Sequence, residues 1–285
     1  MCALPSSPGI VNFIRIIETG DINDLLSLVK QTDAVCARDA DNNTLLHHAC
    51  ISGNVNAVKL LIASGLHANV GNVDGHTPLC DAALNGSTEI VSFLLKCGVN
   101  VDPPSYWGSP LMYATQNGTA HTLSIFLLKY IIERLGAMKL LIDAGAQLNS
   151  PDRTGLCPLH VAVQKGFYAG AHELLLGGAD PNYRVRLTTP LHMAAKQGDA
   201  LMACYLLAHG AYPCPLDMQN KTPLEYTTKG SLIYTVLEDA QNQVPSLQAL
   251  TRLAFRSVLR RMNKGDLESL RLPQCLCDYM TFSLL

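Results

Sequence analysis

The sequence predicts an all-α solenoid: short helix–turn–helix units stacked side by side, each fronted by a β-turn finger, followed by a small helical region of another kind. Three observations carry this. A Thr-Pro-Leu motif stands at Thr77, Thr189 and Thr222, with looser copies starting at Thr44, Ser109 and Cys157; Thr44 to Thr77 is 33 residues, Cys157 to Thr189 is 32 and Thr189 to Thr222 is 33. Glycines 12 residues apart recur within the units, as Gly53 and Gly65, Gly86 and Gly98, Gly166 and Gly178, and Gly198 and Gly210. After Thr227 the pattern fades and an amphipathic tail begins at Pro245. A fixed period of this length marks a repeat array.

Within a unit each part of the motif has a physical role. Thr189 is a good N-cap, because its hydroxyl accepts from a backbone N–H that the first helical turn leaves unpaired. Pro190 takes the first helical position, where a missing N–H costs nothing. Leu191, Ala194 and Ala195 share one face, and the alanines let a partner helix come close. Gly198 ends the helix by adopting positive φ. A second apolar segment, 201–207, runs back and stops at Gly210-Ala211. Such a unit cannot bury its own face and must stack on neighbours.

Taken in order, residues 1–10 are expected to be disordered, and 11–39 form a degenerate first unit in which Gly20-Asp21 supplies the turn. Full units follow at 41–73, 74–104, 153–184 and 185–217, with a partial unit from Asp217; the array covers 11–240 in six or seven units. The third full unit is too long. Gly118 and Gly145 are 27 apart, so 15 residues are extra, and removing His121 to Leu135 restores the spacing. That insert is apolar (Leu123, Ile125, Phe126, Leu127, Leu128, Ile131, Ile132) but carries Lys129, Glu133 and Arg134. It is too short and too charged to span a bilayer, which needs ~20 apolar residues. It reads as an extension of the unit's second helix or as the product of an altered transcript, in preference to a protruding partner-binding helix.

The tail has one helical face made of Leu247, Leu250, Thr251, Ala254, Phe255 and Val258. Arg252, Arg256, Arg260 and Arg261 fill much of the remainder, and a short link at 263–265 leads to 267–272, Pro273 and a last helix holding Leu276, Tyr279 and Met280. Forty residues of this kind bury little alone and seek an apolar partner.

These residues carry a resemblance. Thr-Pro-Leu-His, the following Ala-Ala, the mid-unit Gly, Leu-Leu and the closing Gly-Ala resemble the ankyrin repeat. The tail is similar to the SOCS box in the order of its parts: a helix, a linker, a Leu-x-Leu-Pro element and a Leu-x-x-Tyr helix. Together they resemble the ankyrin repeat and SOCS box family, with the array at 11–240 and a three-helix SOCS box at 245–285. The resemblance implies that the box binds elongin C, with elongin B, through Leu247, Leu250, Thr251 and Phe255. Thr251 stands where the family has Cys and Phe255 where it has an aliphatic residue; the added hydroxyl is satisfied if it donates back to the Leu247 carbonyl. Leu270, Leu272 and Pro273 would face a cullin, cullin-5 with its RING subunit, although Arg271 departs from the family's Leu-Pro-x-Pro.

On the same resemblance the repeats hold an unidentified target protein. Target contacts in such arrays use finger tips and inner helices. The variable residues there are His76, Tyr106, Trp107, Tyr183, Arg184 and Arg186. Trp107 is the chain's single Trp, and exposed Trp, Tyr and Arg are the usual anchors of protein interfaces. Packing of Trp107 against the neighbouring finger is the alternative.

Other classes of function find little support. The sequence holds no Gly-rich phosphate loop, no His-Glu-x-x-His and no nucleophile elbow, so neither catalysis nor a cofactor is expected. His47, His160 and His192 recur one per unit and so stack at intervals of one repeat, which argues against a metal site. A net charge of −2 gives no general case for nucleic acid or membrane partners. The start, Met1 to Pro5, lacks the basic run and apolar core of a secretory signal, and ten scattered cysteines then read as reduced thiols. The expected location is intracellular, in the cytoplasm, with the nucleus left open. Two functions fit: a non-catalytic substrate-recognition subunit of a ubiquitin ligase, or an ankyrin scaffold or inhibitor whose C-terminal helices only cap the solenoid.

Overall fold

A computed structural model describes residues 14–17, 24, 27, 37–116 and 125–242, the side chains of 125–132 excepted. The chain divides into two compact units, Met1–Glu238 and Asp239–Leu285, and the repeats lie in the first. Inner helices alternate with outer ones: α1 (Leu45–Ile51), α2 (Val55–Ala63), α3 (Pro78–Asn85), α4 (Thr88–Lys96), α5 (Pro110–Gln116), α6 (Ile125–Asp143), α7 (Pro158–Gln164), α8 (Tyr168–Gly177), α9 (Pro190–Gln197) and α10 (Ala200–Ala208). A 3-10 turn at Pro223–Tyr226 and α11 (Leu232–Asn242) follow.

The motif residues build the inner row. Leu45, Leu79, Leu111, Leu159 and Leu191 are all buried, as are Ala82, Ala83, Ala194 and Ala195 between successive inner helices. Each such leucine contributes on the order of 2 kcal/mol relative to an exposed one. Gly86 ends α3 at φ 78°, in the left-handed region, and a Cβ there would lie 2.9 Å from Arg134 Cγ, so both conformation and space require glycine. α11 contributes Ile233 and Leu237, both buried, to the same core.

The fingers are held at their base by one side chain. Asp39, Asn72, Asp152 and Asp217, each five residues ahead of its helix cap, accept through Oδ1 from two backbone N–H groups of their own turn at 2.7–3.2 Å. Adjacent fingers are linked by Val73 N–H donating to Asp41 O and Tyr106 N–H to Asp74 O, both at 3.0 Å.

The insert runs straight into its unit. α6 has 19 residues where α2, α4 and α10 have 9, and it is continuous from Ile125 through Asp143. Counted back from the closing glycine, Arg134 stands where Asn54, Ser87, Phe167 and Asp199 stand in the other units, at the start of the outer helix. Its guanidinium donates to the carbonyl of Leu84 at the end of α3 and, at 3.5 Å, to that of Tyr113 in α5. A cation at helix C-termini meets their partial negative charge, which is how so deeply buried an arginine (1% exposed) is accommodated. Among the described residues no helix is long and apolar enough to cross a membrane.

Candidate functional site

The recurring histidine comes first, since it ties the units together. His47 Nδ1 accepts from the Thr44 backbone N–H at 3.1 Å, and its Nε2–H reaches His76 O of the next finger at 3.0 Å. His192 repeats this with Thr189 at 3.2 Å and Lys221 O at 3.1 Å. A ring nitrogen that accepts from a backbone N–H must be unprotonated, so these bonds fix the neutral tautomer with the proton on Nε2. Burial agrees, pushing His47 down to about 4 and lowering His192.

His160 is the exception. Cys157 replaces the capping Thr and turns its thiol to Asn149 O at 3.1 Å, leaving both His160 ring nitrogens buried without a hydrogen-bond partner among the described residues. Burial pushes its pKa to about 4, opposed by the Thr188 and Tyr183 backbones, which approach without reaching hydrogen-bond geometry. Tyr183 covers this histidine edge-on, ring centroids 6.3 Å apart.

The surface on offer to a partner lies at the fingers. Tyr106 (59% exposed) and Trp107 (40%) meet edge-to-face at 5.4 Å, and the Arg153 guanidinium of the next finger lies 4.5 Å from the Trp107 ring centroid and 4.9 Å from that of Tyr106. Arg184 and Arg186 are exposed one finger further on, beside Leu187. Two expected residues turn inward. His76 is half-buried, its Nε2 hydrogen-bonded to the Tyr113 hydroxyl with the rings 4.7 Å apart, and Tyr183 is half-buried over His160. Arg153 was missed by sequence reasoning because it occupies an ordinary finger position; only its approach to the preceding finger sets it apart.

Buried titratable groups elsewhere serve the packing. Asp81 in α3 is 8% exposed, Oδ2 has no hydrogen-bond partner among the described residues, and burial raises its carboxyl to about 7. No cluster of three or more His, Cys, Asp or Glu capable of holding a metal occurs among the described residues. The tail residues Leu247, Leu250, Thr251, Phe255, Leu270, Leu272 and Pro273 lie outside the described residues.

Comparison with known proteins covers the tail as well as the repeats. Family profiles for ankyrin repeats match residues 13–105, 154–185 and 174–226, and the profile for the SOCS box matches 243–281. Among curated proteins, the chain is 30% identical over 237 residues to the nuclear factor NF-kappa-B p105 subunit of Gallus gallus, covering 72% of this chain and 24% of that protein. It is 30% identical over 197 residues to the E3 ubiquitin-protein ligase KEG of Arabidopsis thaliana, covering 64% of this chain and 11% of that protein. The chain thus spans less than a quarter of either relative. Among solved structures, the human ASB11 ankyrin repeat domain superposes with a TM-score of 0.68 at 26% identity, over 82% of this chain and 98% of that one.

Proposed function

This chain belongs to the ankyrin repeat and SOCS box family, and from that premise we propose that it is the substrate-recruiting, non-catalytic subunit of an elongin–cullin–RING ubiquitin ligase. The repeats hold the target and the SOCS box docks the ligase. The observation that carries this is the SOCS box match at 243–281, behind ankyrin repeat matches that run to 226. In this reading Leu247, Leu250, Thr251 and Phe255 bind elongin C with elongin B, while Leu270, Leu272 and Pro273 face cullin-5, whose RING subunit brings the charged conjugating enzyme. The chain's contribution is proximity: it converts an encounter between enzyme and target lysine into an intramolecular one. The target is held along the fingers, by Tyr106, Trp107, Arg184 and Arg186 at the exposed side, with His76 and Tyr183 supporting from beneath.

The packing of α11 favours this reading over a scaffold whose tail is only a cap. Ile233 and Leu237 already cover the last repeat, so residues beyond 242 are not needed for that purpose. We place the protein inside the cell, mainly in the cytoplasm; Cys50, Cys80, Cys97, Cys157, Cys204 and Cys214 are unpaired, as suits a reducing compartment. Co-purification of the full chain with elongins B and C tests the ligase reading. Competition between cullin-5 and cullin-2 for the purified complex tests the choice of cullin.

A further inference from the structure

Of the described fingers, two lack the anchoring Asp or Asn at their base. Five residues ahead of the helix cap, where Asp39, Asn72, Asp152 and Asp217 stand, these two have Pro104 and Arg184. Both display exposed side chains at their tips, although not they alone: Met218 on the Asp217 finger is 70% exposed. The first carries Tyr106 and Trp107. The second is a two-residue hairpin turn in which Val185 and Thr188 exchange backbone hydrogen bonds at 2.8 and 2.9 Å. Its tip residues, Arg186 (φ 48°) and Leu187 (φ 62°), are both in the left-handed region that such turns normally fill with Asn-Gly. A leucine there is strained, and 46% of its surface remains exposed. The absent anchors and the left-handed Leu187 break local rules on both fingers, as expected of a surface kept for a partner.

The finger between them completes the surface. It keeps its Asp152 anchor, packs Gly155 close to Val185, and extends Arg153 over the Tyr106–Trp107 pair. Arg153, Arg184 and Arg186 line one hollow of about 440 Å³. None of the three forms an ion pair with a described residue. The acid among them, Asp152, is occupied with Oδ1 accepting from the Thr154 and Leu156 N–H groups and the Thr154 hydroxyl. The chain as a whole has a net charge of −2, so this concentration of unpaired guanidinium groups is local.

We propose that these three consecutive fingers form a docking site for an extended, carboxylate-rich segment of the target protein, with Arg153, Arg184 and Arg186 clamping Asp or Glu side chains and Trp107 with Leu187 contacting apolar residues between them. Guanidinium forks match carboxylates in two-point geometry, and rigid aromatic side chains supply contact area at low entropic cost. This rests on the reading of the repeats as the target-binding part, and it adds the chemistry of the segment recognised.

The test is selection from a displayed library of random twelve-residue peptides. The bait is the full chain co-expressed with elongins B and C, beside the variant R153E/R184E/R186E; all three side chains are exposed, and circular dichroism checks that the fold is kept. The expected pool on the wild type is enriched in Asp and Glu around one or two apolar residues. Its leading peptide should bind at least tenfold more weakly to the triple variant, and at least tenfold more weakly when its acids are changed to amides. An uncharged or basic pool, no enrichment, unchanged affinity for the triple variant, or displacement of the peptide by an equal concentration of a twelve-nucleotide oligo(U) would each overturn the proposal. Elongin content of the same preparation is read separately. Elongins present with a non-acidic pool sinks the docking site alone, and an acidic pool without elongins sinks the ligase reading alone.

Discussion

The Nε2 of His192 lies 3.1 Å from the backbone carbonyl oxygen of Lys221, joining the cap of one inner helix to the finger of the next unit. His47 and His76 O do the same two-thirds of the array away, at 3.0 Å. These bonds need a neutral ring whose Nδ1 accepts, so protonation breaks the cap of each unit concerned. The folded-state pKa values of His47 and His160, about 4, lie below the ordinary 6.5. The stability these groups carry is therefore full above about pH 6.5 and is lost as pH falls through about 4. Urea unfolding of the full chain at pH 7.5 and pH 5.0 is expected to show a loss of about 1 kcal/mol or more at the lower pH. Equal midpoints would contradict the assignment.

Asp81 acts in the opposite direction. Its carboxyl is raised from 3.8 to about 7 by burial, so its contribution is full below about pH 4 and is lost as pH rises through about 7. Asp81→Asn keeps the shape and removes the charge. It is expected to stabilise the protein by about 1 kcal/mol or more at pH 8 and to steepen the acid loss due to the histidines. A variant no more stable than the wild type at pH 8 would show that Asp81 is solvated.

Cys157 is a weak cap, with no side-chain bond to the first turn of its helix. Thr44 and Thr189 each accept from the N3 backbone and meet the histidine ring, whereas His160 has neither bond. Cys157→Thr is expected to restore the box and add about 1 kcal/mol, read as a higher urea midpoint at pH 7.5. An unchanged or lower midpoint would mean that the thiol's bond to Asn149 O matters more.

Arg134 is the price of the insert. It lies mid-helix, aligned with the helix starts of the other outer helices, and is bound to the Leu84 and Tyr113 carbonyls, so Arg134→Ala is expected to cost about 2–4 kcal/mol. Deleting residues 121–135 removes the arginine too, but it brings Thr119, a good N-cap, to the same position. Thermal unfolding should therefore rank the deletion above Arg134→Ala. The reverse order would show that the insert stabilises its unit beyond this one side chain.

The parts legible in the sequence were those fixed by local rules. Thr189-Pro190-Leu191 with Gly198 specifies a capped, stopped helix wherever it occurs, and its period implies stacking. Relationships across units were not legible. Nothing in the sequence near Arg153 says that it will stack on Trp107, because that depends on how closely two fingers approach. His76 and Tyr183 occupy variable finger positions, yet each is drawn inward by a ring in the adjoining inner helix, Tyr113 and His160. Arg134 looked like part of a removable insert because spacing alone does not reveal that its guanidinium reaches two helix ends. Trp107 takes a place filled by glycine at Gly75 and Gly155, and Gly108 carries the positive φ (146°) one residue later. That shift in the finger is visible only in the backbone.

The central claim is that the repeats deliver a target to a ligase docked on the SOCS box. Its most direct test is affinity purification of the full chain from cells, wild type beside Leu247→Ala, with elongins B and C quantified in each eluate. The account predicts stoichiometric elongins with the wild type and at least a tenfold loss with the variant, as the truncation of an interface anchor worth about 2 kcal/mol or more requires. Wild-type protein that elutes without elongins would contradict it.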